Sequence, residues 1–560
     1  MPQQGMVREE IERLVSEAAH EAREEGKLPS VALPEVEIER PQRPDHGDYA
    51  SSIALRLARV AGAKPLDLAQ EISRHIKPHA AIGEVSVAAP GFINFRLSES
   101  WLAGQVDEIR AVGQSFGSLP LGEGRRVQVE YVSANPTGPL HVGNGRWAAI
   151  GSTLANVLSA AGYDVEQEYF VNDMLTQVEV FARTLYARYQ QLFGVEAEIP
   201  ADGYPGEYVI ELAEEIRKEH GDRFLGPREF GPDPPPEFRT IGLNKMLEGI
   251  AADLAAIRVR YDAWFRESTL YGPDSRYEKA MALLREKGYV TQKEGAVWFT
   301  SSALGEDKDN VLVRSTGNPT YFASDIAYHY DKFLVRGFDQ VINIWGADHQ
   351  GHVSRLKAAL SAMDVEPGRL DIIIGQLVTL RRGGEVVRIS KRAGDIITLR
   401  EVLEEVGADA CRFFFLTRSA DATVDFDLDL AKQQSAENPV YYVQYAHARI
   451  CGILNLGRER GVDYADGDLA LLTHPAELAL IRKMLRLPEL VELMARTREP
   501  HHLTHYALEL ATVFHDFYEK CRVVTDDVPL TKARLKLVEA TAVALGRTLS
   551  LMSISAPERM

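Results

Sequence analysis

The residues best suited to do chemistry lie in two stretches about 250 residues apart. The first runs Glu130-Tyr131-Val132-Ser133-Ala134-Asn135-Pro136-Thr137-Gly138-Pro139-Leu140-His141-Val142-Gly143-Asn144-Gly145-Arg146. It reads as a strand, a loop and a helix start. Such a junction gathers backbone N–H groups and the positive end of a helix dipole at one point, which favours an anion such as phosphate. His141 can donate a hydrogen bond to that anion. Gly143 carries no Cβ to hold a ligand off the backbone. A capped helix start with a surface histidine would give the same pattern. The second stretch is Val386-Val387-Arg388-Ile389-Ser390-Lys391-Arg392-Ala393-Gly394-Asp395. Cations beside Ser390 and Gly394 can close over a triphosphate, with Lys391 a point charge where negative charge grows on departing pyrophosphate. A third set is polar. Tyr321 and Asp325, four residues apart, share one helix face. Asp348 and His352 follow a strand, where doubly wound sheets bind ligands.

These residues need a frame. Val127–Val132, the helix from His141–Asn144 to Ala161, and Asp164–Val171 form a β–α–β unit, the opening of a doubly wound sheet. Residues 174–290 read as a mostly helical insertion. The sheet is expected to resume with strands at 297–300, 311–314, 339–344 and 371–374, with helices at 323–336 and 350–363 and a hairpin over 377–388. Before it, helices at 7–24, 49–60 and from Pro65 to His75, with strands at 84–87 and 91–95, make a small α+β unit. From 400 onward the pattern is helical. The expected fold class is α/β: a Rossmann-like catalytic domain (125–430, insertion at about 174–290) between an α+β domain (1–115) and an all-α domain (431–560).

Composition agrees with several folded domains. The chain has 560 residues, 45% hydrophobic and 26% charged, ordinary for a globular protein. Its net charge of −18 argues against nonspecific coating of nucleic acid or anionic membrane. Residues 431–560 hold 16 basic and 16 acidic side chains, so the first 430 carry the whole imbalance. Three cysteines, Cys411, Cys451 and Cys521, lie 40 and 70 residues apart, which speaks against a thiolate zinc site. No run of about 18 apolar residues and no secretory leader appear, so no membrane association and a cytoplasmic location are expected.

The first stretch resembles the "HIGH" signature of class I aminoacyl-tRNA synthetases, and the string from Glu130 to Asn144 is similar to that of the arginyl-tRNA synthetase family. Asn144 stands where the signature usually has His. The second stretch resembles the "KMSKS" loop, with Arg388 at the first Lys position and Lys391 at the second. The resemblance implies ATP-dependent activation of L-arginine and transfer to tRNA(Arg), with Mg²⁺ accompanying ATP and activation often requiring bound tRNA. It assigns His141, Asn144 and Lys391 to catalysis, and His141, Gly143, Asn144, His352, Arg388, Ser390 and Lys391 to ATP. Glu130, Tyr321 and Asp325 match the positions that read the guanidinium, and Asn135 and Asp348 those that hold the α-amino end. A carboxylate pair facing a cation explains discrimination, since neutral amino acids leave it unpaired.

The flanks resemble the same family. His46-Gly47-Asp48-Tyr49-Ala50 and Gly91-Phe92-Ile93-Asn94-Phe95 are similar to its N-terminal additional domain, which meets the outer corner of tRNA. Asn438–Arg449 is similar to the start of its anticodon-binding domain, where Tyr441, Tyr442, Tyr445 and Arg449 are candidates to stack on bases and meet phosphates. Met560 resembles the family's usual end. No resident metal site and a monomer are expected. Three alternatives stay open: a class I synthetase for another amino acid, a catalytically weak RNA-binding paralogue, and a small-molecule nucleotidyltransferase.

Overall fold

The structure, a computed structural model, describes residues 6–225, 233–387 and 397–560, without the side chains of Pro44 and Asp348. The N-terminal unit begins with α1 (Val7–Glu24), whose Ile11, Leu14, Val15, Ala18, Ala19 and Ala22 form one buried stripe. There follow β1 (Ile38–Glu39), β2 (Tyr49–Ser51), α2 (Ile53–Ala61), α3 (Pro65–His75), β3 (Ile82–Ala88) and β4 (Phe92–Leu97). The strands make one antiparallel sheet in the order β1-β2-β4-β3. The helix expected from residue 49 starts instead at Ile53, because Tyr49–Ser51 pair with β4. Gly47 causes this. Its φ is +88°, a Cβ there would stand 2.6 Å from the Phe95 carbonyl oxygen, and the Asp48 N–H donates to that oxygen at 2.7 Å. The chain is thereby pinned to β4 and leaves as a strand. Helix α4 (Glu99–Val112) leads out of the unit.

The central unit contains β5 (Arg126–Glu130), α5 (Val142–Ala160), β6 (Asp164–Val171), α6 (Thr176–Gln191), α7 (Glu207–His220), α8 (Pro236–Ala256) and β7 (Ala263–Arg266). Then come α9 (Arg276–Glu286), β8 (Val290–Lys293), β9 (Ala296–Phe299), β10 (Asn310–Val313), α10 (Tyr321–Tyr330), β11 (Gln340–Gly346), α11 (Val353–Ala362) and β12 (Leu370–Gly375). Five strands form a parallel sheet in the order β12-β11-β5-β6-β7. The order reverses between β5 and β11, so the crevice beyond their carboxyl ends is the natural binding place. Helix α5 is buried along nearly its whole circumference. Its Gly151 lies so close to Tyr131 that a Cβ would stand 2.2 Å from the ring.

Three expectations change here. The strands near 297–300 and 311–314 do not continue the parallel sheet; β8, β9 and β10 form a separate antiparallel sheet. The segment 174–290 is mostly helical as expected, but it is not purely an insertion, since Ala263–Arg266 pairs with β6 as an edge strand of the parallel sheet. Four residues are too few to show a period in the sequence. Past β13 (Val378–Arg382), β14 (Glu385–Val386) and α12 (Leu399–Phe415), the supposedly all-helical tail contains β15 (Val424–Asp427), which pairs in parallel with β13.

After α13 (Leu428–Lys432), the C-terminal helices are α14 (Pro439–Glu459), α15 (Pro475–Met484), α16 (Arg486–Thr497), α17 (His502–Lys520) and α18 (Val528–Leu551). The N-terminal unit is tied to them by charge pairs. Arg40 holds Glu489 at 2.7 and 3.0 Å, Arg482 holds Asp48 at 2.8 Å, and Arg110 holds Glu539 at 2.6 Å. Buried Arg412 on α12 ties the central unit, donating to the Ser152 hydroxyl at 2.8 Å and to the Ile257 carbonyl at 2.9 Å.

Candidate active site

The turn out of β5 is tight and unusual. Val132 and Ser133 both have positive φ, +69° and +38°, a conformation that costs a β-branched residue energy. Neighbours hold it. The Tyr261 hydroxyl donates to the Tyr131 carbonyl at 2.9 Å, the Ser133 hydroxyl donates to Glu130 at 3.1 Å, and the Phe170 N–H donates to the Ser133 Oγ at 3.1 Å. The turn folds Ser133 back over Glu130, which ends β5 at the switch point and is buried. Asn135, further along the loop, is exposed; it donates to Gln177 at 2.8 Å and accepts from Asn172 at 3.3 Å.

At the start of α5, His141 and Asn144 cap one another. The His141 Nδ1 accepts from the N–H groups of Gly143 and Asn144 at 3.0 and 3.3 Å. The Asn144 Oδ1 accepts from the His141 N–H at 3.0 Å. An imidazole accepting at Nδ1 carries its proton on Nε2, so the ring is set to donate with that edge. Gly143 has a further local role. A Cβ at 143 would stand 2.9 Å from the His141 ring, so the glycine makes room for the cap itself. Asn144 is buried, and its Oδ1 serves the helix terminus. Arg388, Ser390 and Lys391 lie outside the described residues. The chain that follows them returns to the first stretch: Thr398 bridges His141, and the Leu399 N–H donates to the Leu140 carbonyl at 2.7 Å.

Helix α10 supplies the acidic wall. Thr320 caps it, accepting from the Ala323 N–H at 3.4 Å and donating to the Val311 carbonyl at 2.7 Å. Tyr321 is 56% exposed, while Asp325, one turn on, is half-buried. Burial, then the nearby Glu130 carboxylate, push the Asp325 carboxyl up to about 7, with Arg355 and Lys332 opposing. Two acidic groups from different elements thus feel one another's charge near the switch point. Sequence reasoning missed Lys332, whose Nζ donates to the Glu130 Oε2 at 2.6 Å and the Asn343 Oδ1 at 3.1 Å. It also missed His329, buried and pushed down to about 3 by its burial. Both fall on apparently ordinary helix positions; only the seven-residue step from Asp325 to Lys332 hinted at a shared face. Beyond β11, residues 347–352 form a short tight helix in which the His349 and His352 rings meet edge to face at 5.6 Å. The backbone of Asp348 lies in this turn; its side chain is outside the described set.

On α14, Tyr441 and Tyr445 stack with centroids 6.3 Å apart. Arg449 lies over Tyr445 at 4.8 Å and over Tyr518 of α17 at 4.7 Å. Tyr445 and Tyr518 are exposed, giving an aromatic and cationic platform. Tyr442 packs against His515 at 5.0 Å, and His515 in turn stacks on Tyr445 at 6.2 Å.

Comparison with known proteins bears on this arrangement. The family described as "tRNA synthetases class I (R), catalytic domain" matches residues 106–415, more than half the chain. The chain belongs to the arginyl-tRNA synthetase family. The family's N-terminal domain matches residues 9–97, and the DALR anticodon binding domain matches 443–560. An arginine–tRNA ligase of Dehalococcoides mccartyi is 54% identical over 98% of both chains. A putative arginyl-tRNA synthetase structure from Campylobacter jejuni is 32% identical, with a TM-score of 0.75, over 83% of this chain and all of that one. The Thermus thermophilus arginyl-tRNA synthetase shares the fold at 23% identity and a TM-score of 0.78, over 99% of this chain and all of that one. The catalytic-domain match spans the His141–Asn144 helix start, and the anticodon-domain match spans Tyr445, Arg449 and Tyr518.

Proposed function

We propose a division of labour among the residues of this arginine–tRNA ligase, whose substrates are arginine, ATP and tRNA. The observation that carries it is the hydrogen-bonded chain that joins Glu130, ending β5 at the sheet's switch point, through Lys332, Asn343 and His329 to the Asp325 backbone on α10. Glu130 and Asp325 take the guanidinium, whose planar fork suits paired carboxylates. Tyr321 closes that end, and Asn135 and Asp348 hold the α-amino end. The arginine carboxylate attacks the α-phosphate of ATP in line, and pyrophosphate leaves. His141, through its Nε2 proton, and the α5 N-terminus stabilise charge on the phosphates. Gly143 and Asn144 fix the His141 ring. Lys391, with Arg388 and Ser390, meets the departing pyrophosphate, and His352 lies on the nucleotide side. The adenylate then passes its acyl group to the terminal adenosine of tRNA.

No protein nucleophile is needed, so positioning and charge carry the rate. Mg²⁺ enters with the ATP phosphates in this reading; among the described residues no cluster of three or more His, Cys, Asp or Glu could hold a metal. Tyr441, Tyr445, Arg449 and Tyr518 meet the anticodon loop, with Tyr442 supporting them from within. The chain divides at about 1–115, 125–430 and 431–560, works as a monomer in the cytoplasm, and activates arginine with tRNA bound. A catalytically weak RNA-binding paralogue is not favoured, given a curated ligase 54% identical over nearly the whole length. Steady-state aminoacylation tests the division. H141A lowers kcat, D325N raises the arginine KM, and Y445A raises the tRNA KM, each leaving the other substrates' KM within about threefold. One variant disturbing all three parameters alike would undo it.

A further inference from the structure

The ligase reaction leaves the buried cation Lys332 without a role. The Lys332 side chain has no exposed surface, and a buried ammonium is costly unless it is paired and hydrogen-bonded. Here it is held from three sides: by the Glu130 Oε2 at 2.6 Å, the Asn343 Oδ1 at 3.1 Å and the Tyr328 ring face at 4.1 Å. The Asn343 amide donates to the His329 Nε2 at 3.0 Å, and the His329 Nδ1 donates to the Asp325 carbonyl at 2.8 Å. One hydrogen-bonded chain therefore runs from the backbone of Asp325 to the carboxylate of Glu130. Lys332 sits in a π-helical turn, Asp331–Val335, that continues α10; such turns insert a residue and re-aim side chains.

The other charges around the pair are largely matched. Arg336 donates to Glu168 at 3.0 Å, and the Tyr328 hydroxyl donates to the same carboxylate. Asp331 is paired with Arg276 at 2.9 Å and Arg336 at 2.8 Å. Asp173 accepts from Ser268 at 2.7 Å and faces Arg266 at 3.8 Å. Glu267 is buried and held toward its neutral form, and Arg355 lies over the Phe322 ring. The groups left around the pair are Glu130, Asp325 and Lys332, with Arg355 opposing the charge at Asp325 and buried Glu267, one carboxylate oxygen unpartnered, adding to it.

We propose that Lys332 is a specificity-determining positioning residue: it balances the charge of the Glu130 carboxylate and fixes that carboxylate in place for the guanidinium. Without it, two neighbouring carboxylates would share a proton that arginine must displace. With it, Glu130 stays ionised and fixed in place. This rests on the assignment of Glu130 and Asp325 to the guanidinium made above.

The test is a double-mutant cycle on the full chain, read as arginine KM and kcat in aminoacylation near pH 7.5, for wild type, K332M, E130Q and E130Q/K332M, with D325N alongside. K332M is expected to raise the arginine KM about tenfold or more with kcat within about threefold. In the E130Q background the sign reverses: K332M lowers KM by about tenfold, because it removes a cation that Glu130 no longer matches. A lysine that only supports the fold would raise KM or lower kcat in both backgrounds, and that result overturns the proposal. Should K332M alone fail to fold by circular dichroism, E130Q/K332M against E130Q decides, since that variant leaves no lone buried charge. D325N with an unchanged arginine KM would overturn the pocket assignment and the proposal with it. D325N with a raised KM but no sign reversal overturns the role of Lys332 alone.

Discussion

Asp325 makes arginine recognition depend on pH. Its carboxyl is raised to about 7, first by burial and then by Glu130. Only the ionised form can pair with a guanidinium that stays protonated at every accessible pH. One pH unit below 7 about a tenth of the enzyme is ionised at this site, and one unit above about nine-tenths is. The arginine KM should therefore fall about tenfold between pH 6 and pH 8, while the ATP KM changes little. D325N keeps the shape and removes the charge. A hydrogen bond to a charged group is worth about 1.5–3 kcal/mol, so at pH 8 the arginine KM of D325N should rise roughly 10- to 150-fold and lose its slope with pH. The stability sign is opposite. The folded value lies above the ordinary 3.8, so the unliganded protein gains stability from this group at acid pH. That gain is lost as pH rises towards 7. Bound arginine favours the ionised form and offsets the loss. The assay is initial-rate aminoacylation at saturating ATP and tRNA from pH 6 to 8.5. A flat wild-type profile, or an equal slope in D325N, would refute the reasoning.

Other outcomes follow from the same geometry. N144A removes the acceptor for the His141 N–H and should cost about 1 kcal/mol in urea denaturation, whereas N144D keeps the acceptor and most of that stability. G151A drives a methyl into the Tyr131 ring and should destabilise by about 1–3 kcal/mol, seen as a lower midpoint with an unchanged m-value. R449A removes the cation shared by Tyr445 and Tyr518; the tRNA KM should rise several-fold, less at higher salt, with arginine-site parameters unchanged.

The sheet and its switch point were legible because β5, the loop of Ser, Asn, Pro and Gly, and α5 carry strong local signals: alternation, turn residues, then a long apolar helix. Tyr49–Ser51 and Ala263–Arg266 escaped because short edge strands are defined by their partners, and nothing within three or four residues declares pairing with β4 or β6. The strands β8–β10 were legible individually, but sheet membership is a tertiary fact. In the site, His141, Glu130 and Asp325 stood out by spacing and resemblance. Lys332, His329 and Asn343 did not, since a buried polar network shows only when β11 and α10 lie side by side. The reciprocal cap of His141 and Asn144 has the i, i+3 spacing of a capping box, yet its residue types disguise it. Tyr518 joined the tyrosine platform from a helix some 70 residues away.

The most direct test of the account is ATP–pyrophosphate exchange with purified full-length protein, run with arginine, lysine or citrulline, each with and without tRNA(Arg). The account predicts exchange with arginine alone among the three, appearing when tRNA is added. Lysine lacks the planar fork and citrulline lacks the charge, so neither should support it. Exchange driven equally by citrulline, or no arginine-dependent exchange with tRNA present in a folded sample, would contradict it.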